Sequence, residues 1–137
     1  MRVLVLDSEA VSNLARSSGG ASPGPAQVLL ERAVRDGADV VVPAAVLAEQ
    51  YRGQRHDQLV DSFLGRQGAI RVIDTTREFA RRVGHVLARA GRGSADHVDA
   101  TVVAAAGVMG GAVIATSDPD DMRVLAAGIP GITVVPV

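Results

Sequence analysis

The stretch Arg2-Val3-Leu4-Val5-Leu6-Asp7-Ser8 decides how the rest of the chain is read. Arg2–Leu6 is a short apolar run rich in Val and Leu, which reads as a buried strand of a parallel sheet. Asp7-Ser8 then offers a cap for a helix over about Glu9 to Arg16. A buried strand running straight into a helix is half of a parallel α/β unit, and the same step recurs down the chain. Asp39–Val42 (DVVV) reads as a second strand, with Pro43 as the first residue of a helix to about Arg52. Ile70–Ile73, Ala112–Ala115 and Ile132–Val135 read as three more strands.

Helical patterns fill the intervals. Ala26 to Arg35 carries Val28, Leu29, Ala33 and Val34 at helical spacing. A further helix is expected over Gln58–Leu64, and a long one to about Arg89 behind a Thr75 or Thr76 cap. After Gly91-Arg92-Gly93, Ser94 caps a helix from Ala95 to about Val108. Ser117 or Asp118 caps the last helix, with Pro119 in its first turn and Gly128 as its stop. Ser17–Pro25 (SSGGASPGP), the one low-complexity stretch, reads as a mobile loop. The expected fold is α/β: a three-layer α/β/α sandwich around a central parallel sheet of about five strands, forming one domain over residues 1–137.

Composition excludes much chemistry. The 137 residues contain no Cys, so disulfides, thiol nucleophiles and Cys-zinc sites are impossible. All fourteen basic residues are Arg, so a Walker A loop or a Schiff-base lysine is impossible too. No apolar run is long enough for a signal peptide or a membrane span, and a cytoplasmic protein is expected. Net charge is −1 but uneven: Gln50–Gly93 holds nine Arg against four acids, and the remainder five Arg against eleven. A basic middle between acidic ends suits a polyanion beside an acidic site, although solvated helix faces give the same totals.

In parallel α/β folds the functional cleft lies beyond the carboxyl ends of the strands. Asp7 and Asp118 follow the first and fourth strands, and Asp96 and Asp99 share a helix face three residues apart. Each has a structural alternative. Asp7 and Asp118 are good N-caps, and Asp96 complements a helix dipole. Glu49 stands on an otherwise apolar helix, where burial without a partner would cost several kcal/mol. Several carboxylates gathered at one sheet edge would raise one another's pKa, and a hard divalent cation such as Mg²⁺ would relieve that repulsion.

Val3–Ser8, the Val42-Pro43 step leading to Glu49, the Asp99–Ala106 helix and Ile114–Asp118 occur in an order and spacing that resemble the PIN-domain family. The likeness is greatest to its small VapC-type toxins and covers essentially the whole chain. The resemblance implies an Mg²⁺- or Mn²⁺-dependent endoribonuclease toxin of a toxin–antitoxin pair. Asp7, Glu49, Asp99 and Asp118 would be the catalytic, metal-holding quartet, with Ser8 and Thr116 as supporting hydroxyls. A metal-activated water would attack a phosphodiester and displace the 3′-hydroxyl. An RNA substrate, a cognate antitoxin and a second copy forming a homodimer are the implied partners, with no membrane. Asp120 and Asp121 compete with Asp118, and Asp96 with Asp99, for places in the quartet; the resemblance favours Asp118 and Asp99.

With Tyr51, Phe63 and Phe79 the only aromatics, RNA grip would rest on Arg. Arg52, Arg55, Arg66, Arg81, Arg82, Arg89 and Arg92 are the candidates, some of them expected in structural ion pairs. His56, His85 and His97 read as surface or internally satisfied side chains. Gly107, Gly110 and Gly111 precede a strand instead of following one, so a phosphate loop is a poor reading. A dehalogenase-like phosphatase or receiver domain would need a Lys, and such a phosphatase an Asp where Glu9 stands. A catalytically inert PIN-like module acting through an antitoxin and operator DNA is the non-enzymatic alternative.

Overall fold

The computed structural model describes residues 1–17, 22–66 and 70–137. Its centre is a five-stranded parallel sheet in the order β3-β2-β1-β4-β5, built from β1 (Val3–Leu6), β2 (Asp39–Pro43), β3 (Ile70–Ile73), β4 (Ala112–Thr116) and β5 (Ile132–Pro136). Val3 to Leu6 are all buried, as are Val40 to Val42, because these strands are covered by helices on both faces. Continuous apolar runs rather than alternation follow from that coverage. The edge strand β3 is the contrast, with Arg71 and Val72 exposed.

Seven α-helices surround the sheet in the described residues: α1 (Ser8–Arg16), α2 (Pro25–Arg35), α3 (Ala44–Gln50), α4 (Gln54–Arg66), α5 (Arg77–Ala90), α6 (His97–Val108) and α7 (Pro119–Ala126). Helices α1, α2 and α4 pack together on one side, and α5, α6 and α7 on the other. The short α3 touches both α1 and α6, joining the two layers. This is the three-layer α/β/α sandwich expected from the alternation of patterns. Helix α6 is its most enclosed helix, with Ala100 to Ala106 all buried. Among the described residues every buried side-chain nitrogen and oxygen has a hydrogen-bond partner.

Three local expectations shift. Helix α4 starts at Gln54, not Gln58, because Asp57 in its first turn accepts hydrogen bonds from the amides of Arg52 and Gly53, at 2.9 and 2.8 Å. That turn is polar, so apolar periodicity begins only at Leu59. Ser94 does not cap a continuous helix: Ser94–Asp96 forms a 3-10 turn, and α6 begins at His97. Pro43 ends β2 in extended backbone and stands just before α3, which finishes at Gln50. The loop expected over Ser17–Pro25 falls in part on residues 18–21, outside the described residues; Ser17 closes α1 and Pro25 opens α2.

The glycines before β4 serve packing. Gly111 has φ +114°, and a Cβ there would lie 2.8 Å from the carbonyl oxygen of Gly131. Two backbones meet at that point, which brings the starts of β4 and β5 together: the Ala112 amide donates to the Gly131 carbonyl at 3.0 Å.

Candidate active site

The strand order reverses at β1, which has β2 on one side and β4 on the other. Open parallel sheets take ligands at the carboxyl ends of the strands beside such a reversal. Asp7 extends β1 there, its amide donating to the Ala115 carbonyl of β4 at 3.2 Å. The side chain is only 5% exposed. Its Oδ1 accepts from the Ala10 amide at 2.8 Å, capping α1, and its Oδ2 accepts from the Ser117 amide at 3.3 Å. Burial raises the Asp7 pKa. A hydrogen bond with Thr116 and the two amides pull it down, and Glu9 pushes it slightly up. Asp7 is therefore a cap and also a carboxylate at the centre of the sheet edge, since capping uses only one of its oxygens.

Thr116, fully buried, accepts from the Asp118 amide at 3.0 Å. That bond shapes the turn carrying Asp118, which caps α7 by accepting from the Asp121 amide. The Asp118 side chain is exposed. Glu49 is exposed too, contrary to the burial expected from its apolar neighbours, so no desolvation penalty arises. The buried face of α3 is Val46, Leu47 and Gln50. Glu49 takes a hydrogen bond from the Ser8 hydroxyl across the gap between α3 and α1.

Asp99, in the first turn of α6, registers all the others. Its pKa is pushed up to about 6, first by burial and then by the charges of Asp7, Asp118, Asp96 and Glu49. Carboxylates from the ends of β1 and β4, from α3 and from the 3-10 turn before α6 thus act on one group. Of the additional acids, Asp96 bridges to Arg92 at 3.6 Å and Asp121 to the same Arg92 at 3.4 Å. Asp120 points to solvent and pairs weakly with Arg123. These three are engaged or turned away, whereas Asp7, Glu49, Asp99 and Asp118 carry no ion pair among the described residues.

One contributor escaped the sequence reading, and another was named there without its role being settled. Gln50 is buried and donates to the Ser8 carbonyl at 2.9 Å, tying the end of α3 to the start of α1. Its spacing of four from Val46 was the available signal. Arg92, one of seven Arg weighed as phosphate contacts or structural ion pairs, is an ion-pair residue that straps the 3-10 turn to α7.

An all-oxygen acidic set suits a hard cation with few protein ligands, and the mutual repulsion at Asp99 is the cost a cation would remove. Among the described residues no three His, Asp or Glu side chains already stand close enough to cage an ion. A cavity of about 500 Å³ lies elsewhere, between α1, α2 and α4, with Leu14, Leu30 and Phe63 in its wall.

The PIN domain family model matches residues 4–127, and the chain belongs to the PIN-domain family. No curated protein matches the sequence. Similar solved structures include VapBC2 from Rickettsia felis bound to a DNA fragment from the promoter, at 15% identity and TM-score 0.67, covering 98% of each chain. Another is DNA-bound VapBC from Salmonella typhimurium, at 18% identity and TM-score 0.64, covering 99% of this chain and 98% of that one. A toxin–antitoxin complex from Klebsiella pneumoniae matches at 14% identity and TM-score 0.63, covering 95% of each. Likeness at such low identity speaks to the fold.

Proposed function

We propose that this chain is a metal-dependent endoribonuclease and the toxin of a toxin–antitoxin pair, working at Asp7, Glu49, Asp99 and Asp118 with Mg²⁺ or Mn²⁺. The observation that carries the reading is Asp99: its pKa of about 6 reflects burial together with the charges of Asp7, Asp118, Asp96 and Glu49 at one sheet edge. Among the described residues, only Asp96 of those four neighbours has an Arg partner. Such a concentration of unpaired charge lowers stability and is typical of sites arranged for chemistry.

When bound, a divalent cation supplies Lewis-acid polarisation of a phosphodiester and a lowered pKa for an associated water. The chain's own groups supply the rest. Asp7 is fixed by two backbone amides and offers the least mobile carboxylate. The Ser8 hydroxyl holds Glu49 toward α1, and Gln50 fixes the Ser8 backbone behind it. Thr116 holds the turn that presents Asp118. Asp99 stands at the start of α6, whose buried body cannot shift without disturbing the core. The antitoxin partner follows the similar folds found in VapBC complexes from Rickettsia felis and Salmonella typhimurium. A homodimer and a cytoplasmic location belong to the same reading; among the described residues no helix is long and apolar enough to cross a membrane.

Incubation of the purified chain with total RNA and Mn²⁺, beside the Asp7→Asn variant, tests the activity. Cleavage by the unsubstituted chain, abolished by Asp7→Asn and by chelator, is expected. Equal cleavage by both proteins would remove Asp7 from the chemistry, and metal binding without any cleavage would favour the inert binding module.

A further inference from the structure

Resting on the nuclease reading above, we propose that the cleft between α5, α6 and the turn after α7 carries the single-stranded RNA leading away from the acidic site. The cleft holds about 290 Å³, with Arg82, His85 and Arg89 on its rim and Val103, Ala104 and Gly107 in its floor. Spacings of three and four place the three rim residues on one face of α5. Among the described residues, no acid lines the cleft. The nearest acid in sequence, Glu78, is 3.8 Å from Arg82 with both side chains well exposed, a pairing of little strength in water.

The position of the cleft connects it to the chemistry. Its α6 wall, Val103 to Val108, runs from four to nine residues beyond Asp99, so at the rise of an α-helix it lies about 6–14 Å along the axis from that acid. Helix α5 runs toward the same edge, ending at Gly91, and the next residue, Arg92, reaches Asp96 and Asp121. A strand whose phosphate sits at the acids and which then follows α6 meets the positive rim of Arg82 and Arg89 over that length. Charge complementarity of this kind steers a polyanion, and Arg over an apolar floor holds phosphate and base without an aromatic platform. Arg82, His85 and Arg89 lie outside the acidic site, so they can be altered without touching it.

The test measures binding of a labelled oligouridylate of about twelve nucleotides, and of one of about three, spans chosen against typical single-strand site sizes. Both are titrated in the Asp99→Asn background, so that nothing is cut, with and without Arg82→Ala/Arg89→Ala. Loss of two phosphate contacts should weaken the long RNA about tenfold and make its log K against log salt slope shallower by about 1.4. The short RNA should change little, and Arg82→Lys/Arg89→Lys should restore the slope. Unchanged affinity and slope for the long RNA would overturn the cleft, as would an equal loss for the short one. A change of oligomeric state in the double variant would assign the face to self-association and also overturn it. Failure of the nuclease reading looks different: the unsubstituted chain then cuts no RNA with Mn²⁺ present.

Discussion

At Asp99 the ionised form is disfavoured, because burial and four neighbouring carboxylates raise the pKa from 3.8 to about 6. A folded-state pKa above the unfolded value means that the stabilisation is complete below about pH 4 and is lost as pH rises through about 6. Metal-free protein should therefore be less stable near neutrality than in mild acid on account of this group, and Asp99→Asn should flatten the slope. A full shift of this size corresponds to about 3 kcal/mol, and partial solvent access reduces the expected gain at neutrality to about 1 kcal/mol. Thermal unfolding in chelator across pH measures it; an unchanged slope in the variant would show that Asp99 is not strained. Asp7 separates two roles. Asn can still cap α1, so Asp7→Asn should remain folded without activity, whereas Asp7→Ala should lose about 1 kcal/mol in addition. From residue types alone Asp7 could be a cap or a ligand. The structure shows the cap, with Oδ1 on the Ala10 amide and Oδ2 on the Ser117 amide, and the ligand role rests on the proposed function. The exposure of Glu49 was not legible, since α3 has only seven residues, too few for periodicity to say which face is covered.

The glycines give opposite expectations depending on their elements. Gly111→Ala forces a side chain into the Gly131 carbonyl at positive φ and should destabilise by about 2 kcal/mol or more. Gly84, exposed in the middle of α5 with nothing within 4 Å of a Cβ, should gain about 0.5–1 kcal/mol as Ala. Urea unfolding of both variants checks the pair; a stable Gly111→Ala would mean that the backbones of β4 and β5 do not meet there. The existence of the strands and helices and their succession along the chain were readable because short apolar runs alternate with longer segments that open with helix caps. The start of α4 and the 3-10 turn before α6 were not readable, because both are set by polar contacts: Asp57 with Arg52 and Gly53, and Arg92 with Asp96. The local preference for an oxygen at the helix start narrowed the caps to Thr75 or Thr76 and to Ser117 or Asp118, and the structure has Thr76 and Asp118.

Over the whole molecule, alternation of patterns predicts a parallel sheet but not the order of its strands. The order β3-β2-β1-β4-β5 puts the ends of β1 and β4 side by side, bringing together acids from opposite ends of the chain. The separation of Asp7 from Ser117 by 110 positions, bridged by one hydrogen bond, is a product of that order. The resemblance to PIN domains supplied the pairing in advance; composition could only say that oxygen ligands were available. The same arrangement leaves the acids under mutual repulsion, so a divalent cation should bind the folded chain and stabilise it. The most direct measurement is calorimetric titration of Mn²⁺ into the unsubstituted chain, the Asp7→Asn variant and the Asp99→Asn variant. Saturable binding to the first, reduced at least tenfold in each variant while all three stay folded, is the predicted result. No binding to the unsubstituted chain, or equal binding to all three, would contradict the metal site at the ends of β1 and β4.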